Sequence, residues 1–267
     1  LHPLVLCSPF VYRTYQKPLG YAGDYEMVSM MLRDPYEGSS MFAKLINKVI
    51  LAMPAAEAHR NRIIYLKQRL HEETKRMSEQ GKVARIFNLG CGPAQEVQNF
   101  LVNDDFCDNA DLLLLDFNDE TIANTTRILE DLRGRHRRRT GVKLVKRSVH
   151  QILKDSSRAG AGFEVGTYDF VYCAGLFDYL SDRICRRLLE VFYDLLAPGG
   201  LLVATNVDSS NPSRVWMEYV VDWHLVYRNQ EQFTKIAPEQ APPDGVQVKA
   251  DTTGVNIFLE VRKPHHA

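Results

Sequence analysis

Ala84-Arg-Ile-Phe-Asn-Leu-Gly-Cys-Gly-Pro-Ala94 is an apolar run that breaks into Gly90-Cys91-Gly92. This pattern describes a buried strand ending in a tight turn, after which residues from Gln95 to Val102 can open as a helix. Gly90 takes positive φ at little steric cost, and Gly92 leaves room for a ligand against the backbone. Gly-x-Gly turns also occur as plain strand-to-helix connections, so the turn alone does not decide between the two. A second apolar run, Leu112-Leu-Leu-Leu115, does: it ends in Asp116, about twenty residues beyond the turn, where an acid is placed to accept from ribose hydroxyls.

Outward from this stretch the pattern alternates. Strand candidates are Arg85–Leu89, Leu112–Leu115, Lys143–Val145, Asp169–Cys173, Leu201–Asn206 and Ile257–Val261. Helix candidates lie between them at Gln95–Val102, Glu120–Leu132, Asp182–Leu196 and Arg214–Tyr227. Strands separated by helices predict βαβ units, hence an α/β fold with a mainly parallel sheet. Asn118-Asp119-Glu120 puts a cap and two acids at the start of its helix. Gly162 and Gly166 mark a loop before Tyr168. The basic run Arg133 to Arg139 sits at a helix end and carries no interleaved aromatic residues, so it reads as a solvated terminus and not a nucleic-acid contact.

Before this alternation the first eighty or so residues show no strand-like segment. Helical patterns run from near Asp24 to before Asp34-Pro35, from Met41 to Leu51, and from Ala55 to about Glu79, the last with Ile63, Leu66, Leu70 and Met77 on one face. Residues 1–81 therefore read as a helical cap or lid, and residues 82–267 as the ligand-binding domain. Tyr12 to Glu26 crowd tyrosines, Asp24 and Glu26 around turn-forming residues. Tyrosine, with an apolar body and a polar tip, suits the wall of a site for a polar ligand; Tyr21, Asp24 and Tyr25 are candidates there. The plainer alternative is a surface loop leading into a helix.

With 267 residues, 45% of them hydrophobic, the chain can bury one large core with a smaller appended unit. A formal net charge of zero argues against a polyanionic main partner. No run of about eighteen apolar residues exists to span a membrane, and no signal peptide is read. The five cysteines form no C-x-x-C pair, so free thiols in a reducing cytoplasm, with no metal, are expected. Leu1-His2-Pro3 lacks a start methionine, which reads as a chain trimmed from a longer one, and the terminal Pro264-His-His-Ala carries no fold information. These residues do not fix an oligomeric state; a homo-oligomer is compatible with them.

From Lys82 to Arg262 the chain resembles the class I S-adenosylmethionine-dependent methyltransferases. The resemblance rests on Asn88-Leu-Gly-Cys-Gly-Pro-Ala94, Asp116, Arg147-Ser-Val-His150, Tyr168-Asp-Phe-Val171 and Leu196-Ala-Pro-Gly-Gly200, five stations in order. It implies a Rossmann-like, seven-stranded sheet with helices on both faces, and S-adenosylmethionine as cofactor. It further implies that the backbone around Gly90, Cys91 and Gly92 passes the methionine moiety, that Asp116, with Phe117 beside it, holds the ribose hydroxyls, and that Ser148, Val149 or His150 borders adenine. Cys173, Ala174 and Gly175 would lie near cofactor and acceptor. The family often carries an acid where this chain has Asn88, so the cofactor's ammonium needs another group, for which Asp24 or Glu26 is the candidate. A nicotinamide dehydrogenase is disfavoured because its fingerprint wants glycine where this chain has Gln95.

More narrowly, Lys17-Pro-Leu-Gly-Tyr-Ala-Gly-Asp-Tyr-Glu26, Trp223-His-Leu-Val-Tyr-Arg228 and Thr253-Gly-Val-Asn-Ile-Phe258 resemble bacterial methyltransferases that make 3-hydroxypalmitic acid methyl ester, a quorum signal. That resemblance implies a small-molecule acceptor, most simply the carboxylate of a fatty acid or related small acid. A carboxylate is already ionised at neutral pH and needs no base; Arg228, or Arg13 from the lid, is then the candidate clamp. For O- or N-methylation of another small molecule His224 is the candidate base, and Tyr179 the residue that orients an acceptor oxygen. A non-catalytic, cofactor-binding regulatory protein on the same fold is the reading from a different class.

Overall fold

The computed structural model describes residues 1–156 and 163–265; Gly162, His266 and Ala267 fall outside the described residues. Seven strands form one sheet: β1 Ala84–Leu89, β2 Ala110–Asp116, β3 Gly141–Lys146, β4 Tyr168–Cys173, β5 Leu196–Val207, β6 Val246–Ala250 and β7 Asn256–Arg262. Their order is β3-β2-β1-β4-β5-β7-β6. The first five pair in parallel, whereas β7 runs antiparallel to both β5 and β6. The sheet is therefore parallel over β1 to β5, as expected, and mixed at the β5-β7-β6 edge, where the mainly parallel expectation needs correcting. β6 escapes sequence reading because Val-Gln-Val-Lys-Ala is a short edge strand whose residues are all partly or fully exposed, so it carries no apolar run.

Alternation along the strands divides the core. Phe87, Leu89, Val171, Cys173, Leu202 and Ala204 face one side, and Ile86, Phe170, Tyr172, Leu201 and Val203 the other, as the two-residue repeat of a strand demands. Both faces are covered by helices, which is why β1 and β4 read as nearly continuous apolar runs. The covering helices are α6 Gln95–Asn103, α7 Asp119–His136, α8 Val149–Ser156 and α9 Asp182–Leu195. Asn118 caps α7, its side chain accepting from Thr121 N at 3.0 Å. At the other end of α7, Arg139 is exposed, in keeping with a solvated terminus.

Five helices precede β1: α1 His2–Val5, α2 Pro9–Gln16, α3 Tyr25–Leu32, α4 Met41–Leu51 and α5 Pro54–Ser78. The side chains of Ser8, Asp24 and Ser40 cap α2, α3 and α4. Their apolar faces meet in a cluster of Val11, Met27, Met31, Ile50, Leu51 and Ala56, which also takes in Val220 and Val221. α5 leaves this cluster and packs along α6 and the sheet, with Arg262 on β7 gripping Glu73 at 2.6 Å.

The helix expected over Arg214–Tyr227 stops early, as α10 Arg214–Tyr219. Asp222 adopts a left-handed φ of 52°, and the chain beyond it bonds across instead of along a helix. Val226 N donates to Asp178 O at 2.7 Å, and Asn206 Nδ2 donates to Val226 O at 3.0 Å. A last short helix, α11 Gln230–Thr234, completes the helical elements on this side of β6.

Candidate active site

In an open sheet the ligand crevice lies beyond the carboxyl ends of the strands where the order reverses, here between β1 and β4. A cavity of about 500 Å³ occupies that place, roofed by residues of α2, α3, α5 and α10. Its polar end is built from the turn after β1. Gly90 and Gly92 take φ of 75° and 51°, and a Cβ added to Gly92 would meet no protein atom within 4 Å. Asp116 closes this end. Its carboxylate accepts from Gly92 N at 3.1 Å and from Asn118 N at 3.0 Å. Burial raises its pKa, and these backbone donors oppose the rise.

Asn88 stands beside the turn, 1% exposed. Its Nδ2 donates to Tyr172 O at 3.1 Å, and its Oδ1 has no partner. An orphaned acceptor in a cavity wall is a binding group for a ligand donor. Ser213 Oγ and both side-chain polar atoms of Asn256 are also buried without partners in the lining.

Asn88, Gly90, Cys91, Gly92, Asp116, Phe117, Val149, Ala174, Gly175, Tyr21, Tyr25 and Tyr179 all line the cavity. The ring of Tyr21 packs on Phe117 at 5.5 Å between centroids. Burial, with Asp116 as the largest charge nearby, raises the Tyr21 phenol well above its usual range. Tyr179 accepts from Trp223 Nε1 at 2.9 Å, and burial raises its phenol too. Tyr25 reaches Glu120 at 2.7 Å, a bond that is the first cause of its pKa being pushed up to about 12.

Other expected residues stand outside this wall. Asp24 is spent on capping α3, where it accepts from Met27 N at 2.8 Å, and on Arg13 at 2.8 Å. Glu26 pairs with Arg33 at 2.7 Å, so neither acid is free for an ammonium. Ser148 bonds Gln151 at the start of α8, His150 is exposed, and Cys173 is fully buried. His224 is exposed and pairs with Asp222 at 3.0 Å, so it is not placed to act as base. Arg228 is buried but its fork is used up. It donates to Asp182 Oδ1, Phe177 O, Asn206 Oδ1 and Leu180 O, which makes it a structural tie between β5 and the loop after β4 rather than a clamp.

The site also contains charged groups that sequence reading missed. His59 and Arg62 line the cavity from α5, Glu96 from α6, and Asp178 from the loop after β4. Burial lowers the His59 imidazole well below its usual range, with Arg62 adding to the effect. Burial raises Glu96, while Tyr172 donates to it at 2.8 Å and opposes the rise. Asp178 accepts from Val207 N at 2.7 Å. Burial pushes it up to about 6 against the pull of Arg62 and that N–H. The signal for α5 was a stripe of Ala55, Ala58, His59, Arg62 and Leu66 at helical spacing, whose small residues make room for a ligand.

The far end of the cavity is apolar, walled by Met27, Met31, Ile50, Met53, Trp216 and Met217. Among the described residues no helix is long and apolar enough to cross a membrane.

Comparison with known proteins agrees with this geometry. A family model described as a methyltransferase domain matches residues 60–240. No curated protein matches the chain. Among solved structures, a protein from Bordetella parapertussis described as a possible exported protein aligns over 96% of this chain and 86% of its own, at 17% identity and a TM-score of 0.68. Magnesium protoporphyrin IX methyltransferase from Synechocystis, solved with bound S-adenosylhomocysteine, aligns over 95% and 98% of the two chains at 11% identity and a TM-score of 0.56. An O-methyltransferase family protein from Burkholderia thailandensis aligns over 97% and 72% at 12% identity and a TM-score of 0.52. At these identities the shared property is the fold.

Proposed function

The chain belongs to the methyltransferase family, and from that premise we propose that it transfers a methyl group from S-adenosylmethionine to the carboxylate of a fatty acid or related small acid. The observation that carries this reading is the two-ended cavity, polar at Asp116 and Asn88 and apolar at Met27, Met31 and Ile50. The polar end fits the cofactor: Asp116 would hold ribose hydroxyls, the open space at Gly92 would admit the ligand, and the unpartnered Asn88 Oδ1 would accept from an ammonium. When bound, S-adenosylmethionine would supply an electrophilic methyl group, to which the acceptor's nucleophile bonds in line as the carbon–sulfur bond breaks and S-adenosylhomocysteine leaves as a neutral thioether.

The residues around it align and shield. Because an ionised acid needs no base, the chain's task is to fix the acceptor oxygen against the methyl and to exclude water. Tyr21 and Tyr179, held protonated by burial, would donate hydrogen bonds that orient that oxygen. The helices of residues 1–81 would close the cavity as a lid over the domain of residues 82–267. A hydroxyl acceptor is the second reading, favoured by His59, whose neutral imidazole in the cavity could act as its base in place of His224.

The balanced charge and free cysteines support a cytoplasmic enzyme with a small-molecule partner rather than nucleic acid, making an ester of the kind used as a quorum signal. The test is to offer 3-hydroxy fatty acids of increasing length with methyl-labelled cofactor. Labelled methyl esters are expected; label confined to amines, protein or RNA refutes the carboxylate reading.

A further inference from the structure

Arg62 is an arginine of the cavity without a counter-ion. Arg13, Arg33, Arg60, Arg76, Arg228 and Arg262 each hold a carboxylate within 4 Å. Among the described residues, none does so for Arg62. Its hydrogen-bond contacts run from Nη2 to the ring nitrogens of His59, at 3.0 and 3.1 Å. A neutral imidazole accepts at one nitrogen, so most of the five guanidinium N–H donors have no protein acceptor. The acids whose charge reaches Arg62, Asp178 and Glu96, are engaged elsewhere, on Val207 N and on Tyr172 Oη. Arg62 keeps part of its surface accessible and lines the cavity, yet enough protein surrounds it for burial to lower its pKa.

The backbone is shaped around this side chain. Gly175 takes φ of 81°, and a Cβ there would stand 3.0 Å from Arg62 Nη1 and 3.2 Å from Nη2. The guanidinium thus lies against the turn after β4, next to the position at which methyl and acceptor would meet. A desolvated cation with a free planar fork, in a cavity with an apolar far end, is unfavourable alone and is relieved by a planar anion.

We propose that Arg62 is the carboxylate-binding residue of this cavity, taking in its fork either the acid of the acceptor or the aminoacyl carboxylate of S-adenosylmethionine. The proposal rests on the methyltransferase reading above and names the group within the site that recognises its anion. It reassigns the clamp from Arg228 and Arg13, which already hold Asp182 and Asp24 and stand outside the cavity lining, to a lining residue that holds no carboxylate.

The experiment compares wild type with Arg62→Met, similar in length without the charge, and Arg62→Lys, which keeps the charge without the fork. Binding of S-adenosylhomocysteine and its decarboxylated analogue is measured by calorimetry. Binding of 3-hydroxydecanoate and the uncharged 1,3-decanediol is followed by the fluorescence of Trp216 and Trp223, both in the wall. If the anion is the cofactor's, Arg62→Met weakens S-adenosylhomocysteine by about thirty-fold and leaves the decarboxylated analogue unchanged. If it is the acceptor's, the thirty-fold loss falls on 3-hydroxydecanoate, with the diol and S-adenosylhomocysteine unaffected. In both cases Arg62→Lys falls between, and ligand-free Arg62→Met melts at or above wild type because an uncompensated charge has been removed. Wild type that binds both acids, with variants that bind them equally well, overturns the clamp alone. Ligand-free Arg62→Met that melts lower with unchanged affinities likewise overturns it, assigning Arg62 to holding His59. Wild type that binds neither acid overturns the clamp together with the proposed function.

Discussion

Replacing Asp116 by Ala should weaken binding of S-adenosylhomocysteine by thirty-fold or more. Asp116 is 5% exposed and already accepts two backbone N–H groups, at 3.0 and 3.1 Å. Its capacity for two ribose hydroxyls is therefore the remainder of a carboxylate's four lone-pair sites. Hydrogen bonds to a charged acceptor are each worth about 1.5 kcal/mol at the low end, so two sum to about 3 kcal/mol, less what water returns to the freed hydroxyls. A net loss of about 2–3 kcal/mol corresponds to roughly thirty- to a hundred-and-fifty-fold in Kd. Asp116→Asn keeps one acceptor oxygen and should lose about tenfold. Calorimetric titration, with a thermal melt to confirm folding, gives both values. A 2′,3′-dideoxyribosyl analogue provides the control: it should bind wild type weakly and lose nothing further on Asp116→Ala. A folded Asp116→Ala whose Kd moves by less than threefold, or an analogue penalised equally by wild type and variant, refutes the placement of ribose on this carboxylate.

Val28→Trp, a partly exposed lining residue of α3, should shorten the longest 3-hydroxy acid methylated while leaving S-adenosylhomocysteine affinity within threefold; an unchanged chain-length profile would show that the acceptor does not enter the apolar end. Arg228→Ala strands three of its four acceptors, Asp182 being exposed to water, and should cost about 3 kcal/mol of stability or more, read from a denaturant midpoint, with the acceptor's KM unchanged in the folded fraction. His224→Ala, altering an exposed side chain outside the cavity, should leave turnover within twofold. Asp178 has a folded pKa of about 6 against 3.8 for the free group, so its contribution is fully present below about pH 4 and lost as pH rises through about 6, on the order of 2–3 kcal/mol. Asp178→Asn, which keeps an oxygen for Val207 N, should flatten that part of the ligand-free stability profile; an unchanged slope counts against the assignment.

The strands that border the cavity were legible because they obey a local rule. β1 and β2 are buried on both faces, so their apolar runs and the turn at Gly90 announce themselves, and Asp116 is found from its distance beyond that turn. The edge strand β6 obeys no such rule, being partly exposed throughout. The charged half of the site was hidden for a different reason. On one sequence His59 and Arg62 look like the polar face of an amphipathic helix, and only the docking of α5 over the turns after β1 and β4 turns that face inward. The reverse error befell Arg228 and His224. The resemblance of Trp223-His-Leu-Val-Tyr-Arg228 put both in the site, yet the chain leaves the helix after Tyr219 and turns at Asp222, with His224 at the surface and Arg228 in the core.

Helix α5 is both a wall of the cavity and a strut of the sheet. His59 and Arg62 sit on its earlier turns, while Tyr65 bonds Glu260 and Glu73 bonds Arg262 farther along the same uninterrupted element. The backbone that carries the anion end of the cavity is therefore fixed to the sheet, and shifting α5 there would disturb β7. The apolar end is tied to the sheet less directly: Met27, Met31 and Ile50 belong to helices that join α5 through the short link at Ala52-Met53 and through Arg60, which donates to Met31 O and Leu51 O. Grafting residues 1–53 from a relative that keeps Tyr21 should then alter which hydrocarbon is accommodated while Arg62 and Asp116 stay with the recipient.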